Sequence, residues 1–154
     1  MSAPWLKNFL GLKQSDFEML RVPNPRLEYS VQVTIRTTEV GTLIGSVMGP
    51  LLTFIWNRRP SDAQIKESFT QGGLTGALVG CLVGVIYSSY KSGHLYDFQL
   101  YDRCYRRRFD AKEMNLDRVC TLGAVLGTMG CGGFGYVVGV DAAFLLSQAF
   151  KRKE

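Results

Sequence analysis

Three stretches of the chain are almost free of charge, and polar segments separate them. Residues 40–56 carry no charged side chain in 17 positions, residues 72–90 none in 19, and residues 119–150 only Asp141 in 32. A membrane-crossing helix needs about 20 predominantly apolar residues, with about 17 the lower limit. Each stretch therefore predicts a helix long enough to cross a bilayer, with residues 35–39 and 68–71 completing the first two. Trp56, Tyr87 and Tyr90 stand at the ends of their stretches, where amphipathic rings favour the membrane interface.

Inside these stretches glycine recurs every fourth residue. Gly41, Gly45 and Gly49 form one ladder, and Gly72, Gly76, Gly80 and Gly84 a second. Gly123 and Gly127 begin a third, which continues through Cys131, Gly135, Gly139, Ala143 and Ser147. Glycine costs a water-exposed helix about 1 kcal/mol relative to alanine. In a bilayer, apolar side chains gain nothing by leaving lipid for protein, so close backbone packing drives helix association. The ladders thus predict an all-α membrane helix bundle in which these glycines are helix-packing positions.

The third stretch leaves two readings open. As one helix it is about 48 Å long at 1.5 Å per residue, more than a hydrocarbon core of about 30 Å. It is either one tilted span ending near Val140, or two short spans hinged at residues 130–135. The unbroken ladder favours one helix; the glycine cluster favours a hinge. Charge adds to the balance. With four spans, 15 of the 18 Lys and Arg share one side and only Arg58, Arg59 and Lys66 lie on the other. That division is sharper than the three-span one, so four short Gly-rich spans are expected, with three the alternative.

The organisation that follows is an N-terminal extramembrane segment over 1–38, a bundle over 39–150 with an extramembrane loop at 91–118, and a basic tail at 151–154. Pro4–Leu10 predicts a short amphipathic helix, with Trp5, Leu6, Phe9 and Leu10 on one face and Lys7 and Lys13 free for headgroups or a partner. No apolar core of a secretory signal follows the N-terminus, and Asp16 and Glu18 argue against a cleaved transit peptide. Ser61 followed by Gln64 predicts a capping box at the start of the second span's helix.

The central loop interleaves aromatic and charged residues. Phe98, Tyr101 and Tyr105 share one helical face, and Asp102 and Arg106 form an i,i+4 pair. Such a pair is too weak to fold an isolated segment, so the loop is expected to be ordered by a partner. Tyr101, Tyr105, Arg106, Arg107 and Arg108 are the docking candidates, toward acidic protein groups or lipid phosphates, which bind guanidinium bidentately. Nucleic acid is not an expected partner, because acids dilute the basic charge and spans flank the loop.

Other apparent chemical motifs lack the context they need. Gly130–Gly135 matches G-x-G-x-x-G but sits in an apolar run rather than between strand and helix. Cys81, Cys104, Cys120 and Cys131 show no C-x-x-C spacing, although Cys104 and Cys120 flank the loop and could pair in an oxidising space. His94 stands alone, and no nucleophile, base and orienting group assemble. No enzyme activity, catalytic residue, cofactor or metal site is expected. Asp141, a carboxyl inside an apolar run, is a functional candidate unless the chain meets water there.

The segment Tyr101-Asp102-Arg103-Cys104-Tyr105-Arg106-Arg107-Arg108-Phe109-Asp110-Ala111-Lys112-Glu113-Met114-Asn115, followed by Gly123 and Gly127, resembles the mitochondrial inner-membrane translocase channel (Tim) family. Members carry an Asp-Cys segment, a basic stretch, an acid and an Asn ahead of a Gly-x-x-x-Gly third span. The resemblance covers about residues 40–147. The family includes protein-import channel subunits and a small four-helix, non-catalytic accessory subunit of respiratory complex I. The import channels' arginine after the third-span glycines is absent here, which favours the accessory-subunit branch. The resemblance implies a multi-pass mitochondrial inner-membrane protein without a cleaved presequence. It would be a structural or assembly subunit of complex I (NADH:ubiquinone oxidoreductase), with an import-translocase subunit as the alternative. Its implied partners are other membrane subunits of the respiratory chain and phospholipid, cardiolipin included.

Overall fold

The computed structural model describes residues 3–13, 15–20, 22–57 and 59–151, which are all-helical, with no strand among them. Six helices follow one another: α1 (Ala3–Phe9), α2 (Asp16–Leu20), α3 (Pro25–Trp56), α4 (Asp62–His94), α5 (Asp97–Phe109) and α6 (Ala111–Lys151). Three of them, α3, α4 and α6, are long and apolar enough to cross a membrane. Residues 152–154 of the expected basic tail, and Arg58 of the first connection, lie outside the described residues.

Local sequence explains where the long helices begin. Pro25 opens α3 at the first helical position, where its missing N–H is no loss. The expected capping box opens α4: the Gln64 N–H donates to Ser61 Oγ at 3.4 Å, and the Ser61 N–H donates to Gln64 Oε1 at 3.1 Å. Asp110 opens α6 by accepting from the N–H groups of Lys112 and Glu113 at 3.1 and 3.2 Å.

The first two glycine ladders form one antiparallel seam between α3 and α4. A Cβ on Gly45 would fall 2.9 Å from the Gly76 Cα, one on Gly41 3.0 Å from the Gly80 Cα, and one on Gly49 3.3 Å would meet the Cα of Gly72. Only a hydrogen fits at such contacts. Gly80 and Gly84 continue the seam against Thr37 and Thr34, and Gly76 lies against Gly41 and Gly45. Hydroxyls along the seam are satisfied locally: Thr34, Thr38 and Thr42 each donate to the carbonyl four residues back at 2.8 Å.

The third ladder is resolved differently from a straight helix. At Cys131 and Gly132 the backbone leaves helical geometry, and Gly132 has φ +60°, a conformation that suits glycine. The arms 111–130 and 133–151 fold back on each other. A Cβ on Gly127 would lie 2.6 Å from the Gly135 carbonyl carbon, and one on Gly123 3.0 Å from that of Gly139. In a straight helix Gly127 and Gly135 would be about 12 Å apart. The ladder therefore packs against itself: the break falls inside the hinge expected at residues 130–135, and the other reading, one continuous helix, is corrected.

The bundle is apolar on the outside. Ile55, Leu78, Ile86, Leu126 and Met129 are all more than 60% exposed. Side chains this large and this numerous on three long helices call for an apolar surrounding rather than water.

Candidate functional site

The chemistry-bearing side chains gather at one end of the bundle, where the first turns of α3, all of α5 and the first turns of α6 meet. Helix α3 begins fifteen residues before its uncharged stretch, and this extension carries Glu28, Gln32, Arg36 and Glu39 at spacings of four, four and three. Such spacings put them on one face. Sequence reasoning treated residues 1–38 as a mixed polar segment and passed over this stripe, although its helical period was present in the sequence.

Helix α5 lies on that stripe. Leu100, Cys104 and Arg108, one turn apart, are its buried face. Leu100 and Cys104 pack with Val22 and Tyr29, and Val33 and Leu95 close the cluster. The loop expected to be ordered by a partner is thus a helix ordered by its own chain. Sequence reasoning weighted the aromatic face and missed the opposite one, whose i, i+4, i+8 pattern was the signal.

Arg108 and Glu28 form the central pair. Arg108 Nε donates to Glu28 Oε1 at 2.6 Å and Nη2 to Oε2 at 2.5 Å, with both side chains 1% exposed. Arg108 is consequently a clamp inside the chain, unlike its neighbours. Arg107 is partly buried beside Glu113, with Nε 3.2 Å from Oε2 but too misaligned for a hydrogen bond. Arg106 is exposed and makes the expected pair with Asp102 at 3.0 Å. Tyr105 is half-buried against Phe109, and the Tyr101 hydroxyl donates to the Leu20 carbonyl.

A second ionic group ties α3 to α6. Arg36 Nη1 is 3.4 Å from Glu39 Oε2 and 3.5 Å from Asp117 Oδ1, and its guanidinium lies over the Phe144 ring at 5.7 Å. Helix α1 closes the junction from the side. Trp5 is 4% exposed and stacks on Phe9. Arg118 Nε donates to the Phe9 carbonyl at 2.9 Å, and Asn8 Nδ2 donates to the Arg108 carbonyl at 3.3 Å. The amphipathic helix expected near residue 4 exists, but its aromatic face is docked on the protein.

The cysteines do not converge. Cys104 belongs to the α3–α5 cluster, whereas Cys120 packs with Leu116 and Ala143, and all four thiols are free. The pairing of Cys104 with Cys120 is therefore corrected. Burial, helped by the Glu28 charge, pushes the Cys104 thiol up to about 12. His94 Nδ1 contacts the Tyr90 carbonyl at 2.9 Å. Asp141 lies on the returning arm of α6, its carboxyl beside the Ser46 side chain of α3, with Oδ1 buried and without a hydrogen-bond partner among the described residues.

The charged groups of the junction are thus largely spent on one another. They join α5 and α6 to α3. No curated protein matches the chain. Residues 5–150 match the model of a family described as a protein of unknown function. With nearly its whole length covered, the chain belongs to that family, DUF1757.

Proposed function

We propose that the chain is a non-catalytic structural and assembly subunit of a mitochondrial respiratory assembly of the complex I type, held in the inner membrane by four spans. The observation that carries this reading is the outer face of α5. Tyr96 and Phe98 stack at 6.4 Å and are each more than 70% exposed, and Phe109 is 45% exposed. The inner face of the same helix is fixed by the chain itself, so the aromatics are presented rigidly and are left over for a partner. Exposed aromatics on a preorganised element are what interface anchors are made of.

Three further points support it. Backbone-to-backbone glycine packing is how a bundle becomes compact inside lipid. The break at Cys131 and Gly132 turns α6 back on itself, which supports two crossings there, short ones, since the uncharged part of the first arm, residues 119–130, is only about 18 Å long. The segment 101–127 resembles the accessory-subunit branch of the translocase channel family. One observation favours the alternative, an import-translocase subunit: the unpartnered Asp141 carboxyl oxygen, since acids at membrane depth often line a polar path.

Mild-detergent native electrophoresis of the tagged chain, with mass spectrometry of the co-migrating band, tests the reading. Respiratory membrane subunits are the expected companions. Import-machinery subunits would move the assignment to the alternative, and a free monomer at low detergent would refute both.

A further inference from the structure

A recess of about 450 Å³ opens between α3, α5 and the start of α6. Arg36, Arg103, Arg106 and Arg107 line it, with Gln32 beside them and Asp110 and Glu113 as the acids. Both acids are engaged, Asp110 as the cap of α6 and Glu113 beside Arg107, and of the other arginines Arg36 is held by Glu39 and Asp117 and Arg106 by the exposed Asp102. Arg103 is exposed and makes no ion pair among the described residues. Gln32 Nε2 is a buried donor with no hydrogen-bond partner there, on a residue only 3% exposed, and Arg107 Nε meets the Glu113 carboxylate as an ion pair at 3.2 Å without a hydrogen bond. Buried N–H groups are normally paired, and unpaired ones need an explanation. Positive charge, planar guanidinium forks and an unsatisfied donor together describe a site for an oxygen-rich anion.

The depth of the recess indicates which anion. The Ser30 and Ser88 hydroxyls are 2.8 Å apart, so α3 near Gln32 is level with α4 between Tyr87 and Tyr90. Those tyrosines are exposed and stand where aromatic belts meet headgroups. The geometry points to the recess as the binding site for the phosphate of an anionic membrane phospholipid. Gln32 and Arg107 donate from the buried side, and Arg103 and Arg106 close over it from the exposed side. The site rests on the membrane reading alone and is independent of which assembly the chain joins.

The full chain in detergent, titrated with phosphatidylglycerol or phosphatidylcholine and observed by native mass spectrometry, tests this. One retained phosphatidylglycerol per chain is expected, bound at least about tenfold more tightly than phosphatidylcholine, because choline's cation offsets the charge of the same phosphodiester and is repelled by the arginines. Arg103→Ala with Arg106→Ala should abolish the preference, and these side chains are exposed enough for the fold to survive. Gln32→Leu should weaken it, and Arg59→Ala, outside the recess, should leave it intact. Equal retention of the two lipids, or a preference untouched in both recess variants, overturns the site. Full displacement of the lipid by inorganic phosphate at millimolar concentration overturns the lipid assignment. Flotation with vesicles separates the underlying reading: a chain that fails to float overturns both, whereas one that floats but holds the lipids equally overturns the site alone.

Discussion

Arg108 and Glu28, 80 residues apart, meet in a two-pronged ion pair with both side chains 1% exposed. Removing one partner leaves an uncompensated buried charge, which typically costs about 3–5 kcal/mol. Arg108→Ala should therefore destabilise the purified chain by about that much, whereas Arg106→Ala, whose pair with Asp102 is exposed, should cost less than about 1 kcal/mol. Replacing both members, Arg108→Met with Glu28→Met, should restore most of the loss. Thermal unfolding of the three variants in one detergent checks this. Equal losses for Arg106→Ala and Arg108→Ala would mean that the buried pair contributes nothing special.

The glycine seam makes the opposite kind of prediction, one about space. A Cβ on Gly45 would collide with the Gly72 backbone, and neither backbone can yield without parting α3 from α4. Gly45→Ala should cost at least the 1–3 kcal/mol typical of overpacking. Gly93, near the end of α4, has nothing within 4 Å of a built Cβ. Gly93→Ala should be neutral or stabilising by up to about 1 kcal/mol through helix propensity. Comparing the two by protease resistance separates steric packing from propensity, since propensity alone favours alanine at both positions.

The seam was fully legible in the sequence because one residue type at one spacing has one physical use in lipid. The third ladder was legible only as two alternatives, a straight helix or a hinge at residues 130–135, for a reason of symmetry. Gly123 and Gly139, and Gly127 and Gly135, are equidistant from Cys131. A four-residue ladder folded at its midpoint brings its own rungs together, so the same pattern fits a straight helix and a hairpin. The positive φ at Gly132 decides it, and many glycines in that cluster could have supplied it. The polar junction was hidden for another reason. Glu28 and Arg108 each sit in locally polar sequence, and only the placement of α5 on α3 turns two ordinary surface charges into a buried pair.

Cys104 gives a prediction in pH. Its thiol is pushed up to about 12 from an ordinary 9.0, chiefly by burial. The folded chain thus holds the thiol proton more tightly than the unfolded one. The stabilisation is complete below pH 9 and is lost as pH rises from 9 toward 12. Because the thiolate is the nucleophile, iodoacetamide at pH 8 should modify Cys104 far more slowly than exposed Cys131. Cys104→Ala should flatten the alkaline side of the stability profile. Rapid native labelling of Cys104 would show that the α3–α5 cluster opens readily.

The outer face of α5 carries the last prediction, and it separates docking from folding. Hydrogen exchange across residues 97–109 should already be slow in the isolated chain, because Leu100 and Cys104 are fully buried against α3. Tyr96, Phe98 and Phe109 take no part in that contact. Replacing all three with Ala should leave the unfolding midpoint nearly unchanged, since exposed substitutions usually stay within about 0.5 kcal/mol each. The same replacement should strip a binding interface of its anchors, where individual losses reach about 2 kcal/mol or more. The triple variant is therefore expected to remain membrane-inserted and folded while leaving its native complex in mild detergent. If it unfolds, these rings belong to the fold after all. If it stays in the complex with wild-type stability, the partner binds elsewhere, and the exposed aromatics serve only the membrane interface.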